Sequence, residues 1–377
     1  MSQLSFNTAC VHAGIIIDEK TKGVNTPIYT STSFAYFDLE EAVYPRYFNV
    51  PNMEALNKKI SILEHGEAGL VFSSGMAAIS SALLAFLNNG DHAVFQKGLY
   101  GGTFVMVTQE LQKYGIEYDI TPENDISTFE KFIKPNTRMV FIETPSNPLL
   151  SIVNIAQIAE LAKSRGLISL IDNTFASPVN QNPIDLGIDI VLHSATKYFG
   201  GHHDICAGAA VSTKENIKKI RKTALSLGGS LNAQTCYLLE RSIKTLGIRV
   251  ERQNQNALQI AEFLNNHPGI ERVHYPGLRD HPGHIIAARQ MSGFGGMLSF
   301  ELLHADPVMF QKKLKLIRPS VSLGGVETII CSPVMTSHRH LSKEEREKEG
   351  IRNNLLRLSV GIEDVKDIIE DLEQALK

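Results

Sequence analysis

Two short apolar runs do most to limit what this chain can fold into. Leu167 to Ile171 and Ile188 to Leu192 each stop abruptly at polar residues, Asp172-Asn173-Thr174 after the first and His193-Ser194-Ala195-Thr196-Lys197 after the second. Runs of this length and character fit buried strands of a parallel sheet, whose carboxyl ends open on the crevice where ligands bind in such folds. Asp172 and Lys197, 25 residues apart, are then expected at neighbouring strand ends, facing one another.

Taken singly, neither residue says much. An Asp-Asn pair after a strand is ordinary turn chemistry, and most lysines are solvated. Together they form the layout that pyridoxal phosphate chemistry requires. The lysine amine bonds the cofactor's aldehyde, the carboxylate keeps the pyridine nitrogen protonated, and the hydroxyls of Ser194 and Thr196 can hold the phosphate.

The surrounding sequence supports a sheet of this kind. Strands are expected at Ala68 to Phe72, His92 to Gln96, Ile116 to Ile120 and Arg138 to Glu143, alternating with helices at Met53 to Glu64, Ala77 to Leu87, Phe104 to Tyr114, Ser127 to Ile133 and Ile155 to Ser164. Such alternation predicts an α/β fold with a mostly parallel sheet. Ser73-Ser74-Gly75-Met76 joins a strand to a helix start, where free backbone N–H groups and the helix dipole favour a phosphate. Tyr100 beside Gly101-Gly102 either stacks on an aromatic cofactor or plugs a loop. Ala207 to Ser212 reads as a returning strand, and one long helical stretch is expected from Gln234 to Asn266. Beyond it, strands at Gly269 to Tyr275, Gly295 to Leu302 and Leu355 to Val360 mix with helices at Pro307 to Lys313 and Val365 to Leu376, as in a smaller α+β domain. The expected division is an arm over 1–60, a large cofactor-binding domain over 61–247 and a small domain over 248–377.

Composition removes several function classes. With a net charge of -3 and no basic cluster, nucleic acid is not an expected partner. No apolar run is long enough to span a bilayer, so no membrane partner is expected. Cys10, Cys206, Cys236 and Cys331 form no Cys-x-x-Cys pair, and the first residues lack a signal pattern, so a cytoplasmic protein with free thiols is expected. His202-His203-Asp204 and His281-Pro282-Gly283-His284 have no second ligand pair at a recognised spacing, and no metal is expected. Lys343 to Glu349 reads as a solvated helix face. The glycine fingerprints of dinucleotide and nucleotide triphosphate sites are missing.

Seven motifs together are similar to those of the Cys/Met metabolism family of pyridoxal phosphate enzymes, which includes cystathionine synthases, cystathionine lyases and methionine γ-lyases. They are Ser73-Ser74-Gly75-Met76-Ala77-Ala78, Leu99-Tyr100-Gly101-Gly102-Thr103, Glu143-Thr144-Pro145-Ser146-Asn147-Pro148, Asp172-Asn173-Thr174-Phe175, Ser194-Ala195-Thr196-Lys197-Tyr198, Ser322-Leu323-Gly324-Gly325 and Arg357-Leu358-Ser359-Val360-Gly361. The resemblance covers about residues 8 to 376. It implies an aspartate aminotransferase-like architecture (PLP fold type I) and a homotetramer built from dimers. By position, it implies that Lys197 carries the cofactor, Asp172 pairs with its ring nitrogen and Tyr100 stacks on the ring. Gly75, Met76, Ser194 and Thr196 would hold the phosphate, with Tyr44 and Arg46 reaching the phosphate of the neighbouring subunit. Asn147, Ser322 and Arg357 would grip the substrate's α-carboxylate. The arm departs from the family at Tyr44-Pro45-Arg46 and Asn49-Val50-Pro51, and Gly200-Gly201-His202-His203-Asp204 has histidine where serine is usual.

The implied activity is carbon–sulfur bond cleavage in cystathionine or a related sulfur amino acid, with Lys197, Tyr100 and Asp172 as the catalytic residues. A γ-replacement synthase using activated homoserine and a methionine γ-lyase are the enzyme alternatives, and a non-catalytic cofactor-binding regulator is the remote one. Gly102 is similar to the cystathionine enzymes, where methionine γ-lyases typically carry cysteine. Val321 is instead similar to methionine γ-lyases, since many cystathionine γ-enzymes carry glutamate there.

Overall fold

The computed structural model describes residues 4–339 and 342–377. Seven strands form the larger sheet: β1 (Ala68–Phe72), β2 (His92–Phe95), β3 (Glu117–Ile120), β4 (Thr137–Glu143), β5 (Ile168–Asp172), β6 (Ile190–His193) and β7 (Gly208–Ser212). Their order is β1-β7-β6-β5-β4-β2-β3, and only β7 runs antiparallel to its neighbours. The mostly parallel sheet and the returning strand expected from the sequence are both present. In β6 and β7 every residue is buried, and β4 exposes only Arg138, so helices cover both faces of the sheet.

The carboxyl ends of the strands carry the polar residues. Asp172 is the last residue of β5 and Glu143 the last of β4, and the two are partners in the β4–β5 register. Each strand delivers a carboxylate to the same edge. His193 ends β6 and pairs through Nε2 with Glu64, which also accepts from Asn173 Nδ2 at 2.9 Å. This wholly buried group ties β5 and β6 together beneath the site.

A second sheet has the order β10-β11-β12-β9-β8, with β8 (Ile270–His274), β9 (Met297–Leu302), β10 (Arg318–Pro319), β11 (Ile329–Cys331) and β12 (Leu355–Ser359). Leu298, Phe300, Leu356 and Leu358 from it pack with Ile368, Leu372 and Ala375 of the helix Val365–Leu376, whose buried stripe has helical spacing. The helix Leu246–Asn265 serves both cores. Leu246 and Val250 belong to the first, and Ala257, Ile260, Ala261 and Leu264 to the second.

The single helix expected from Gln234 to Asn266 is in fact two, Ala233–Ile243 and Leu246–Asn265. At the break the Ser242 carbonyl accepts from Thr245 N at 3.2 Å, Thr245 Oγ1 at 3.2 Å and Arg249 Nη2 at 3.0 Å. These side chains cannot be read as helix breakers from apolar periodicity. The helix expected over Phe104 to Tyr114 begins earlier, at Gly101, and passes through a π-helical turn at Met106–Glu110. Helices at Phe6–His12, Lys214–Leu227 and His284–Gln290 are additions to the expected set. Lys214–Leu227 buries only Ile217, Ile220 and Ala224 among five basic residues, a stripe too narrow to stand out.

Arg249 is a buried guanidinium, 4% exposed. Its Nη1 donates to the Tyr198 carbonyl at 2.9 Å and its Nη2 to those of Phe199 at 3.4 Å and Ser242 at 3.0 Å. It thereby clamps the turn after Lys197, and Gly201, at φ +68°, leaves no room for a side chain against it. Arg249→Met should strand two carbonyls, those of Tyr198 and Phe199, in a dry interior, since Ser242 keeps its bonds from Thr245. At about 1–3 kcal/mol each, the expected destabilisation is at least ~2 kcal/mol. Thermal unfolding followed by circular dichroism checks this, and an unchanged midpoint would mean that water replaces the guanidinium.

Candidate active site

At the carboxyl ends of β1, β4, β5 and β6 lies a cavity of about 580 Å³, completed by residues of the second sheet. Gly75, Met76, Tyr100, Asn147, Asp172, Ser194, Thr196, Lys197, Val321, Ser322 and Arg357 all stand on its wall. Sequence positions from 75 to 357 meet in one place.

The floor is a parallel-sheet edge. Asp172 receives two hydrogen bonds from Thr174, one from its backbone N at 2.9 Å and one from its hydroxyl, and both go to Oδ1. Oδ2 makes no hydrogen bond among the described residues. Burial raises the Asp172 pKa, and the Thr174 bonds with the His193 and Lys197 charges oppose that rise. Lys197 Nζ donates to Ser322 Oγ at 2.9 Å. Burial first, then the Arg357 charge, lowers its pKa to about 8.

Arg357 lies across Ser322 from Lys197. Arg357, 5% exposed, donates from Nη1 to Asn147 Oδ1 at 2.8 Å and from Nη2 to the Ser322 carbonyl at 3.0 Å. Its Nε is buried with no partner. A buried guanidinium with a free donor fits a carboxylate. Ser322 is held between Arg357 and Lys197 at φ +82°, a conformation that serine keeps only where its surroundings impose it.

The helix Gly75–Phe86 starts at the cavity wall. Ser74 caps it by accepting from Ala77 N at 3.1 Å, and the first N–H groups, at Gly75 and Met76, have no partner among the described residues. A Cβ on Gly75 would lie 2.8 Å from Ser194 Cβ, so only glycine allows this close approach. The Ser194 hydroxyl is likewise without a partner among the described residues. Thr196 differs: its Oγ1 donates to the Ala207 carbonyl at 3.1 Å and accepts from Ala207 N at 2.9 Å. That hydroxyl must release Ala207 before it can donate to an anion.

The profile of the Cys/Met metabolism PLP-dependent enzymes matches residues 7–377. The chain belongs to this family. It is 44% identical over 375 residues to the cystathionine gamma-lyase of Bacillus subtilis (strain 168), covering 98% of each chain. It is also 44% identical over 377 residues to the cystathionine beta-lyase MetC of the same organism, covering 99% of this chain and 96% of that one. The crystal structure of cystathionine gamma-lyase from Lactobacillus plantarum complexed with L-serine is similar, with a TM-score of 0.95 and 39% identity over 99% of this chain and 98% of that one. The resemblance read from the motifs therefore holds, and pyridoxal phosphate is the cofactor of the family to which this enzyme belongs.

The residues present fit that group. The unpaired N–H groups at Gly75 and Met76 suit a phosphate, Asp172 Oδ2 is free to meet a pyridine N–H, and Lys197 has an amine of lowered pKa. Tyr100, 45% exposed, projects at the helix start Gly101–Val105. Burial, followed by the Asp172 charge, raises its pKa, which keeps the phenol protonated. Tyr44 and Arg46 are not on the cavity wall. Tyr44 packs edge-on against Tyr47, and Arg46 Nη1 donates to the Leu225 carbonyl at 2.7 Å.

Sequence reasoning passed over Glu143. Both of its oxygens accept from Tyr100 N, at 3.1 and 2.9 Å, while Gln96 clamps its backbone. Burial beside Asp172 pushes its pKa up, favouring the neutral acid. Its signal was the polar end of a predicted strand, the same signal that singled out Asp172. Cys206, Met335 and Arg339 also stand on the wall. Among the described residues, no three His, Cys, Asp or Glu side chains gather as metal ligands, and no helix is long and apolar enough to cross a membrane. His284 stacks on Phe294 with ring centres 5.6 Å apart, which is a packing role.

Proposed function

We propose that this enzyme is a carbon–sulfur lyase of trans-sulfuration, cleaving cystathionine or a related sulfur amino acid to a keto acid, ammonia and a thiol. The observation that carries the reading is the meeting of Lys197 Nζ, Asp172 and the Arg357–Asn147 pair on one cavity wall. Arg357 and Asn147 hold the α-carboxylate, which fixes Cα toward Lys197. Bound pyridoxal phosphate supplies the electron sink that makes the Cα proton removable. Lys197, with its lowered pKa, takes that proton, and Ser322 Oγ holds the amine in place meanwhile. Asp172 keeps the ring nitrogen protonated. Tyr100 or Lys197 gives a proton to the departing sulfur.

Gly102 favours a cystathionine substrate over methionine. A Cβ there would lie 2.6 Å from Tyr100 Cε1 and 2.9 Å from Met76 Sδ, so any side chain displaces the tyrosine ring. In our reading the chain is an arm over 1–60, a cofactor-binding unit over 61–247 and a small unit over 248–377. Tyr44 and Arg46 complete the phosphate site of a neighbouring copy in a homotetramer. The enzyme works in the cytoplasm, a compartment that suits its four free thiols.

The test adds cystathionine to the holoenzyme and identifies the keto acid. Pyruvate means elimination at Cβ, and 2-oxobutanoate means elimination at Cγ. An intact visible cofactor band with neither product would overturn the lyase reading and favour the γ-replacement synthase or a methionine substrate.

A further inference from the structure

The cavity carries one more cation than the lyase chemistry uses. Lys197, Arg357 and Arg339 all stand on its wall, against Asp172 and Glu143 as the only acidic side chains there among the described residues. Asp172 is set to face a pyridine N–H, and Glu143 is turned to the Tyr100 backbone with its pKa raised. No acid is left for Arg339. Its side chain is exposed and makes no hydrogen bond or ion pair among the described residues. A guanidinium free of partners at a cavity rim, in a fork geometry that matches a carboxylate, is a subsite for a second anion.

Val321 and Met335 stand on the same wall as the two arginines, with Thr336 and Ser337 beside them. Val321 and Met335 are 65% and 60% exposed, which leaves apolar surface open to a ligand in the cavity. A ligand that satisfies all of this has a carboxylate at each end and an uncharged middle. We propose that Arg339 binds the distal carboxylate of the substrate, so that the site selects thioether amino acids with a second carboxylate beyond the sulfur. The α-carboxylate lies on Arg357, the thioether crosses Val321 and Met335, and the far carboxylate ends at Arg339. This inference rests on the lyase reading and adds the residue that sets its preference.

The test compares wild-type holoenzyme with Arg339→Ala and Arg339→Lys on three substrates: cystathionine, L-homocysteine and S-methyl-L-cysteine. The last two lack the distal carboxylate. Arg339→Ala should raise KM for cystathionine roughly 10- to 100-fold with kcat little changed, the range expected for losing a charge-assisted contact. Its KM values for the other two should stay within about 2-fold of wild type, and lysine should restore part of the loss. An equal KM rise for all three substrates, or none for cystathionine, would overturn the proposal. So would a loss of cofactor absorbance in Arg339→Ala, because that would assign the arginine to the phosphate. Should wild-type enzyme release no keto acid from cystathionine, the lyase reading fails on its own. The subsite is still decided by titrating cystathionine against the cofactor's visible absorbance, where Arg339→Ala must weaken Kd by the same factor.

Discussion

Lys197→Ala should lose at least ~10⁴-fold in turnover, because in the proposed mechanism one amine both anchors the cofactor and takes the Cα proton. The physical basis is its surroundings. Burial and the Arg357 charge bring the Lys197 pKa to about 8. At pH 7 roughly a tenth of the amine is then neutral, against a few parts in ten thousand for a solvated lysine. The sign of the pH dependence comes directly from this. Lysine is reactive when deprotonated, so capture of pyridoxal phosphate by apoenzyme should speed up as pH rises toward 8 and level off above it. Stopped-flow absorbance over this range checks the expectation. A rate still climbing at pH 10 would mean an ordinary lysine, and near-normal turnover by the alanine variant would remove Lys197 from the mechanism.

Asp172→Asn should keep the cofactor and lose kcat by ~10²-fold or more. Thr174 occupies Oδ1 twice, which leaves Oδ2 free for the ring nitrogen that the proposed mechanism places there. Asparagine preserves the size and one acceptor but removes the negative charge that holds the ring proton. The split between retained visible absorbance and lost turnover separates this role from simple cofactor binding. Full activity in the variant would falsify the assignment. Asp172→Ala should also weaken cofactor loading, measurable by dialysis and absorbance.

Much of this site could be read from the sequence because its key residues end strands. Asp172 and Lys197 come after apolar runs, and a parallel sheet brings the ends of such runs to one edge whatever the rest of the chain does. Ser322 and Arg357 were reached only by resemblance, since no periodicity states that Arg357 of β12 meets Asn147 beyond β4. Arg249 stayed hidden because it belongs to neither class of signal: its partners are carbonyls 50 and 51 residues away. The break at Lys244-Thr245 stayed hidden because the local bonds to the Ser242 carbonyl leave no mark on apolar periodicity. Glu143 carried a strand-end signal equal to that of Asp172, and what gives it meaning, the turn of Tyr100 N toward it, exists only in three dimensions.

The antiparallel strand β7 also sets when the site can exist. It lies between β1 and β6, so Phe72 at the end of β1 must wait for Gly208, and Ala68 for Ser212. On a ribosome adding 5–20 residues per second, β1 stands without this neighbour for roughly 7–30 s. Until then Gly75 has no Ser194 and Gly208 packed against it, and the nascent chain offers the cofactor no closed seat. In the proposed reading, the seat for the cofactor's phosphate at Gly75 therefore closes only once β7 has paired, a late product of the fold rather than an early one.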